Sequence, residues 1–264
     1  MLLIASGCGG EAEMGPNHGE KPAERLIQVA AATDLQPWLG EALADWGHGQ
    51  GPGFKIVTSY DASGKIAAQV RAGAPIDLFL SADIEIVRRL AAEGFVVPES
   101  VKPYARGRLA LLARKSLQVG GWKELQRAEF RHLVIANTAT APYGRAAKQA
   151  LEQAGLWAKL EGKIVVADSV RQALQQVTSG NAEAGLIAFG HAREAAANDN
   201  SLAVIELPQA DYPPIVQGLG LVRHADQSGE SREILRRAMD FLTSPAGEAI
   251  FEQHGLSKAV GGSD

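Results

Sequence analysis

Ile27-Gln28-Val29-Ala30-Ala31-Ala32-Thr33-Asp34-Leu35-Gln36-Pro37-Trp38-Leu39-Gly40-Glu41-Ala42-Leu43-Ala44-Asp45-Trp46 is the stretch that decides the fold. Ile27–Ala32 is an apolar run of strand length, and Thr33 and Asp34 end it. Beyond them the spacing changes. Leu35, Trp38, Leu39, Ala42, Leu43 and Trp46 fall on one helical face, which is the pattern of core packing. A strand, a small polar junction and a helix together make the repeating unit of an α/β protein.

Working outward, the same unit recurs. Further strand candidates are Lys55–Tyr60, Asp77–Ser81, Arg108–Arg114, His132–Asn137, Lys163–Ala167, Ala184–Phe189, Ala203–Leu207 and Ile215–Val222. Ile84, Val87, Leu90 and Ala91 share a helical face, with Gly94 as the stop. Ala146, Ala147, Ala150, Leu151 and Ala154 share another, with Gly155 as the stop. Two more helices are expected near Ser231–Leu242 and Pro245–His254. The alternation predicts βαβ units and mostly parallel sheets. It runs to the Arg108–Arg114 strand and then restarts. The expected architecture is therefore α/β, with two Rossmann-like lobes and a ligand cleft between them. Lobe 1 would take residues 25–105 plus about 216–264, and lobe 2 about 106–215.

Four strand-to-helix junctions carry small hydroxyl or glycine residues: Ala31-Ala32-Thr33-Asp34, Ser59-Tyr60-Asp61-Ala62-Ser63-Gly64-Lys65, Thr140-Ala141-Pro142-Tyr143-Gly144 and Asp168-Ser169-Val170-Arg171. In open α/β sheets ligands bind beyond the carboxyl ends of the strands. The first turn of a helix there offers free N–H groups and a partial positive charge, which suits an anion. Taken singly, Thr33, Ser63 and Ser169 read as ordinary N-caps, and Asp34, Asp61 and Asp168 as capping or loop-orienting carboxylates. Two junctions in each half of the chain, facing across a cleft, would make an anion site.

Composition narrows the alternatives. The 264 residues correspond to one or two domains at about 150 residues each. At 46% hydrophobic and 21% charged the chain has ample material for a core. A net charge of −4 leaves no basic footprint for nucleic acid. Dinucleotide-binding and P-loop glycine patterns are absent, and Asp61-Ala62-Ser63-Gly64 lacks the first glycine of a nucleophile elbow. A hydrolase using Ser63 is accordingly a remote alternative, and no catalytic residue is assigned. His18, His48, His132, His191, His224 and His254 show no metal-ligand spacing and read as surface or capping residues.

The lone cysteine, Cys8, follows the apolar and small residues Leu2-Leu3-Ile4-Ala5-Ser6-Gly7. The arrangement resembles the end of a bacterial lipoprotein signal, with Cys8 as the lipidation point. Residues 9–24, rich in Gly, Pro and Glu, read as a flexible tether. Residues 1–24 are thus expected to be signal remnant, lipobox and tether. The body would sit in the periplasm or at the cell surface, attached to the membrane only through the lipid anchor.

The most specific block is Gly73-Ala74-Pro75-Ile76-Asp77-Leu78-Phe79-Leu80-Ser81-Ala82-Asp83. It resembles the G-A-P-x-D-[LV]-F-x-S-A-D signature of the periplasmic molybdate-binding proteins that feed molybdate ABC transporters. Ser63-Gly64-Lys65-Ile66-Ala67-Ala68-Gln69-Val70, Ala141-Pro142-Tyr143-Gly144 and Ser169-Val170-Arg171-Gln172-Ala173-Leu174 resemble three further blocks. The similarity runs from about Leu26 to Gly255. It implies a type II periplasmic-binding-protein fold and a buried tetrahedral oxyanion, molybdate or tungstate, held by hydroxyls and N–H groups. It also implies a permease and its ATPase as partners, a monomer, and no cofactor. Carried over, Thr33 and Ser63 would donate hydroxyl and backbone bonds, and Tyr143 and Val170 backbone N–H bonds. Asp34 would give at most its N–H, with its carboxylate turned away as a cap, because a carboxylate aimed at a dianion would repel it. Asp34 stands where an uncharged residue is common, which opens another oxyanion or a small carboxylate as an alternative ligand. Ala188 stands where some members carry a tyrosine.

Overall fold

The computed structural model describes residues 25–259 apart from positions 37, 51–52, 128–129 and 224–228. Cys8, the proposed tether, His18 and His224 lie outside the described residues.

Strand β1 (Arg25–Ala32) sends Ile27, Val29 and Ala31 into one apolar cluster and Ala30 into another. It is covered on both faces, so its sequence reads as a run of apolar residues instead of an alternation. A 3-10 turn, Thr33–Leu35, leads to α1 (Trp38–His48). There follow β2 (Phe54–Asp61), α2 (Ser63–Arg71), β3 (Leu78–Ser81) and α3 (Ile84–Ala92). β1 pairs in parallel with β2 and β3. Next comes β4 (Lys102–Gly107), and the chain passes through Arg108 into β5 (Leu109–Arg114) of a second sheet. The second lobe continues with β6 (Leu133–Ala136), α4 (Pro142–Gln153), α5 (Trp157–Leu160), β7 (Ile164–Ala167), α6 (Val170–Thr178), β8 (Ala184–Ala188), α7 (Phe189–Asn198) and β9 (Leu202–Glu206). The chain then returns to the first sheet as β10 (Ile215–Leu221), followed by α8 (Gly229–Leu242) and α9 (Pro245–Gln253). The two five-stranded sheets are ordered β2-β1-β3-β10-β4 and β7-β6-β8-β5-β9.

Both sheets are mixed, where the strand–helix alternation predicts mostly parallel ones. β10 runs antiparallel to β3 and β4, and β5 runs antiparallel to β8 and β9. The strands that carry the chain between the lobes enter each sheet against the direction of its βαβ strands. β4 has no counterpart among the expected strands. Lys102, Pro103 and Arg106 hide its pattern, and it survives as an edge strand, where a proline is tolerated. The pairing register shifts between Gln217 and Gly218, with Pro103 opposite Gly218.

α2 and α6 bury the same helical face. In α2 it is Ser63, Ile66, Ala67 and Val70, and in α6 it is Val170, Ala173, Leu174 and Val177. Each helix starts where a strand of its lobe has just ended. No helix among the described residues is long and apolar enough to cross a membrane.

One histidine departs from the surface or capping expectation. His48 and His132 are exposed, but His191 is buried at the start of α7. Its Nε2 lies 2.7 Å from the Gln36 carbonyl oxygen, which can only accept, so the proton sits on Nε2. Nδ1 is left buried without a partner. Burial lowers its pKa to about 4, and the ring stays neutral at physiological pH.

Candidate functional site

The four junctions meet in space. Gly64 N–H donates to the Thr140 carbonyl across the cleft at 2.8 Å. A Cβ on Gly64 would stand 2.9 Å from Thr140 Cα, so only glycine allows the lobes to come this close. Lys65 at the start of α2 pairs with Asp168 ahead of α6 at 3.3 Å, and Arg145 of α4 pairs with Asp83, the N-cap of α3. α6 packs directly on the Thr33–Leu35 turn. These contacts close the lobes over Thr33, Asp34, Ser63, Tyr143 and Val170, all five of which are buried.

Three of the five stand in the first turn of a helix. Ser63 opens α2, Val170 opens α6, and Tyr143 is the second residue of α4 behind Pro142. N–H groups there have no partner within the helix, and the aligned peptide dipoles add positive potential. Pro142 suits the first position because its missing N–H would be unpaired in any case. Gly144 lets this turn sit directly on the end of β6. A Cβ there would fall 2.3 Å from the Ala136 carbonyl oxygen.

Ser63 is not the N-cap of α2. That place belongs to Ala62, and Ser63 Oγ instead accepts the Ala82 N–H at 3.0 Å. The bond uses an oxygen lone pair, orients the hydroxyl and leaves its proton free to donate. Thr33 likewise stands inside its 3-10 turn, with Ala32 as the N-cap. Ser169 does cap α6, through the Gln172 N–H at 3.2 Å.

Asp34 is neither a cap nor turned away from the cleft partners. Its Oδ2 accepts the Tyr143 hydroxyl at 3.1 Å and the Gln217 side-chain amide, while Oδ1 is buried with no partner. Tyr143 comes from α4 in lobe 2, and Gln217 from β10 in lobe 1. The carboxyl therefore joins the lobes. Burial pushes its pKa up to about 6, against the lowering effect of the bonds from Gln217 and Tyr143. The same burial, with the charge of Asp34, holds the Tyr143 hydroxyl well above the ordinary tyrosine range. Gly107 on β4 makes room for that hydroxyl, since a Cβ there would stand 2.5 Å from it.

Gln217 is the site residue that the sequence reading passes over. It is fully buried, and its Oε1 has no partner. The signal was a lone amide inside the apolar run Ile215-Val216-Gln217-Gly218-Leu219-Gly220-Leu221. Thr140, named above only as part of its junction, also reaches across the cleft. Its carbonyl bridges the lobes, and its Oγ1 is buried without a partner. Among the described residues no group of three or more His, Cys, Asp or Glu could hold a metal ion. The arrangement gathers helix-start N–H groups and buried hydroxyls between the lobes, and at its rim Lys65 and Arg145 are paired with carboxylates. It can desolvate a small anion and replace its water shell with fixed N–H and O–H groups.

Comparison with known proteins gives the family and the fold. The family profile for bacterial extracellular solute-binding proteins matches residues 27–257. The molybdate-binding protein ModA of Azotobacter vinelandii is 31% identical over 233 residues, covering 87% of this chain and 88% of that protein. ModA of Rhodobacter capsulatus is 29% identical over 203 residues, 77% of each chain. The solved structure of the Azotobacter vinelandii periplasmic molybdate-binding protein aligns with a TM-score of 0.78 at 33% identity, over 87% of this chain and 98% of that one.

Proposed function

This chain belongs to the bacterial extracellular solute-binding proteins, and we propose that it captures molybdate outside the cytoplasm and delivers it to an ABC transporter permease driven by its ATPase. The observation that carries the proposal is the convergence of three helix starts and the Thr33–Leu35 turn from two lobes on one closed cleft. Thr33, Ser63, Tyr143 and Val170 are the donors, with Asp34 beside them. Tungstate, nearly the same size, is a second cargo. The smaller sulfate leaves the same donors under-satisfied. The protein works by binding and release, as a monomer that closes on its anion and presents the closed face to the permease. Lobe 1 is residues 25–105 with about 216–264 and lobe 2 about 106–215, a division supported by the passage of the chain between the two sheets at Arg108 and again ahead of Ile215. Cys8 is the lipid attachment point and residues 9–24 the tether, supported by the small residues ahead of the cysteine and the Gly-, Pro- and Glu-rich composition after it.

Titration calorimetry against molybdate, tungstate, sulfate and phosphate tests the cargo. Tight 1:1 heats with molybdate and tungstate are expected, and a silent titration with both would remove the assignment. The presence of Asp34 favours a second reading, a different oxyanion or a small carboxylate, which the same panel extended to those anions distinguishes. Replacing Ser63 with alanine should weaken molybdate binding by about 1.5–3 kcal/mol, the range for a hydrogen bond to a charged group. Unchanged affinity would leave Ser63 only its bond to Ala82.

A further inference from the structure

Asp34 is the only acidic side chain buried among the described residues, and its partners are an amide and a phenol with no cation among them. It lies next to Thr33, beneath a cleft built to attract negative charge. An unprotonated carboxylate and a dianion enclosed together without water repel each other, and one of the two charges must be neutralised. The environment of Asp34 is arranged for that. Oδ2 already accepts two hydrogen bonds, while Oδ1 is buried without any. A bare acceptor left in this way is costly, whereas a proton on Oδ1 turns it into a donor.

We propose that Asp34 makes anion capture proton-coupled: as a dianionic oxyanion enters the cleft, the carboxylate takes one proton from solvent onto Oδ1, and the neutral carboxyl, held by Tyr143 and Gln217, joins the site as a hydrogen-bond donor. The cargo is thus an oxyanion plus one proton, which makes Asp34 a specificity-determining residue of the site. This rests on the oxyanion-capture function proposed above for the same cleft.

The groups around Asp34 do not compete for that proton. Tyr143 from α4 and Tyr104 from β4 are both pushed well above the ordinary tyrosine range by burial and by the charge of Asp34 itself. Gln217 from β10 does not titrate. His191 of α7, bonded to Gln36 just after the Thr33–Leu35 turn, is already neutral above about pH 4. α6, packed on that turn, brings Arg171, whose charge acts on His191. At the rim, Lys65 and Arg145 are tied to Asp168 and Asp83. Asp34, raised by burial to about 6, is left as the group poised to gain a proton near neutrality.

Calorimetry of the full chain with sodium molybdate, between about pH 6 and pH 8.5, tests the coupling. Affinity should fall by up to about tenfold for each pH unit above the ligand-free titration of Asp34, and buffers of differing ionisation enthalpy should report uptake of up to one proton per anion bound. Asp34→Asn should bind molybdate with an affinity that no longer varies with pH and with no proton uptake. A wild-type affinity flat across the range with no proton uptake would overturn the proposal and leave molybdate capture standing. So would an Asp34→Asn variant that keeps the slope. Should the variant fail to fold, the two-buffer measurement on the wild type decides alone. Absence of molybdate binding by the wild type at every pH would instead overturn the capture function, and the proposal with it.

Discussion

Asp34 and His191 are buried within reach of the same turn, and burial moves their pKa values in opposite directions. Asp34 rises from 3.8 to about 6, so between those values the folded protein holds a proton that the unfolded chain lacks. Its contribution is present at low pH and is lost as pH rises through about 6. His191 falls from 6.5 to about 4, so in its window the unfolded chain holds the extra proton, and stability is lost as pH falls. Each effect is on the order of 3 kcal/mol at about 1.36 kcal/mol per pKa unit. Their windows overlap, and the two largely offset each other. Asp34→Asn removes one side of this balance. The anion-free variant should be more stable than the parent near pH 7.5 and should lose stability more steeply on acidification to about pH 4.5. Denaturant melts at the two pH values check this, and parallel losses in parent and variant would contradict it. Neither group's role was legible in the sequence. What the sequence does show is that Thr33, Ser63, Tyr143 and Val170 stand at strand-to-helix junctions, and the structure buries all four. The burial of His191 depends on how α7 meets the chain at Gln36, 155 positions away, and the partnership of Asp34 with Gln217, 183 positions away, on how β10 returns to the first lobe, and no local pattern encodes either.

Elements were more legible than residues. The apolar runs of β1 and β3 stand out because both faces are covered, and α1, α3 and α4 because their apolar positions repeat at helical spacing. β4 was hidden, since a strand that carries Lys102, Pro103 and Arg106 has no apolar period. The direction of β5 and β10 was hidden as well, because alternation of strands and helices does not say which way a linking strand enters a sheet. α4 shows how an element fixes the site. Its buried face is Gly and Ala rich, with Gly144, Ala146, Ala147 and Ala150, so the helix sits close to the sheet and its first turn ends against β6. Gly144→Ala gains helix propensity but drives a methyl group against the Ala136 carbonyl. A net loss of about 1–3 kcal/mol is expected, the usual range for overpacking, with weaker anion binding because the Tyr143 N–H is displaced. A thermal melt of the variant checks the first part, and a parent-like midpoint would show that the turn can retreat without cost.

At the scale of the molecule, the lobes are joined by more than the two linking passages. Arg193 of α7 donates to the Gln253 carbonyl at the end of α9, and Gly190 packs so closely on the His254 carbonyl that a Cβ there would clash, which ties the second lobe to the last helix of the first. On the cleft side, the Gly64–Thr140 bond and the Tyr143–Asp34–Gln217 cluster hold the lobes together. A closed cleft lined by helix starts explains how a chain of net charge −4 can take up an anion, because local dipoles act at contact distance while the overall charge is screened. Crystals grown with sodium molybdate, measured at the molybdenum absorption edge, put this to the most direct test. A single strong anomalous peak enclosed by the first turns of α2, α4 and α6, within hydrogen-bond reach of Ser63, Tyr143 and Val170, is the predicted result. A peak anywhere else on the molecule, or none, would contradict it.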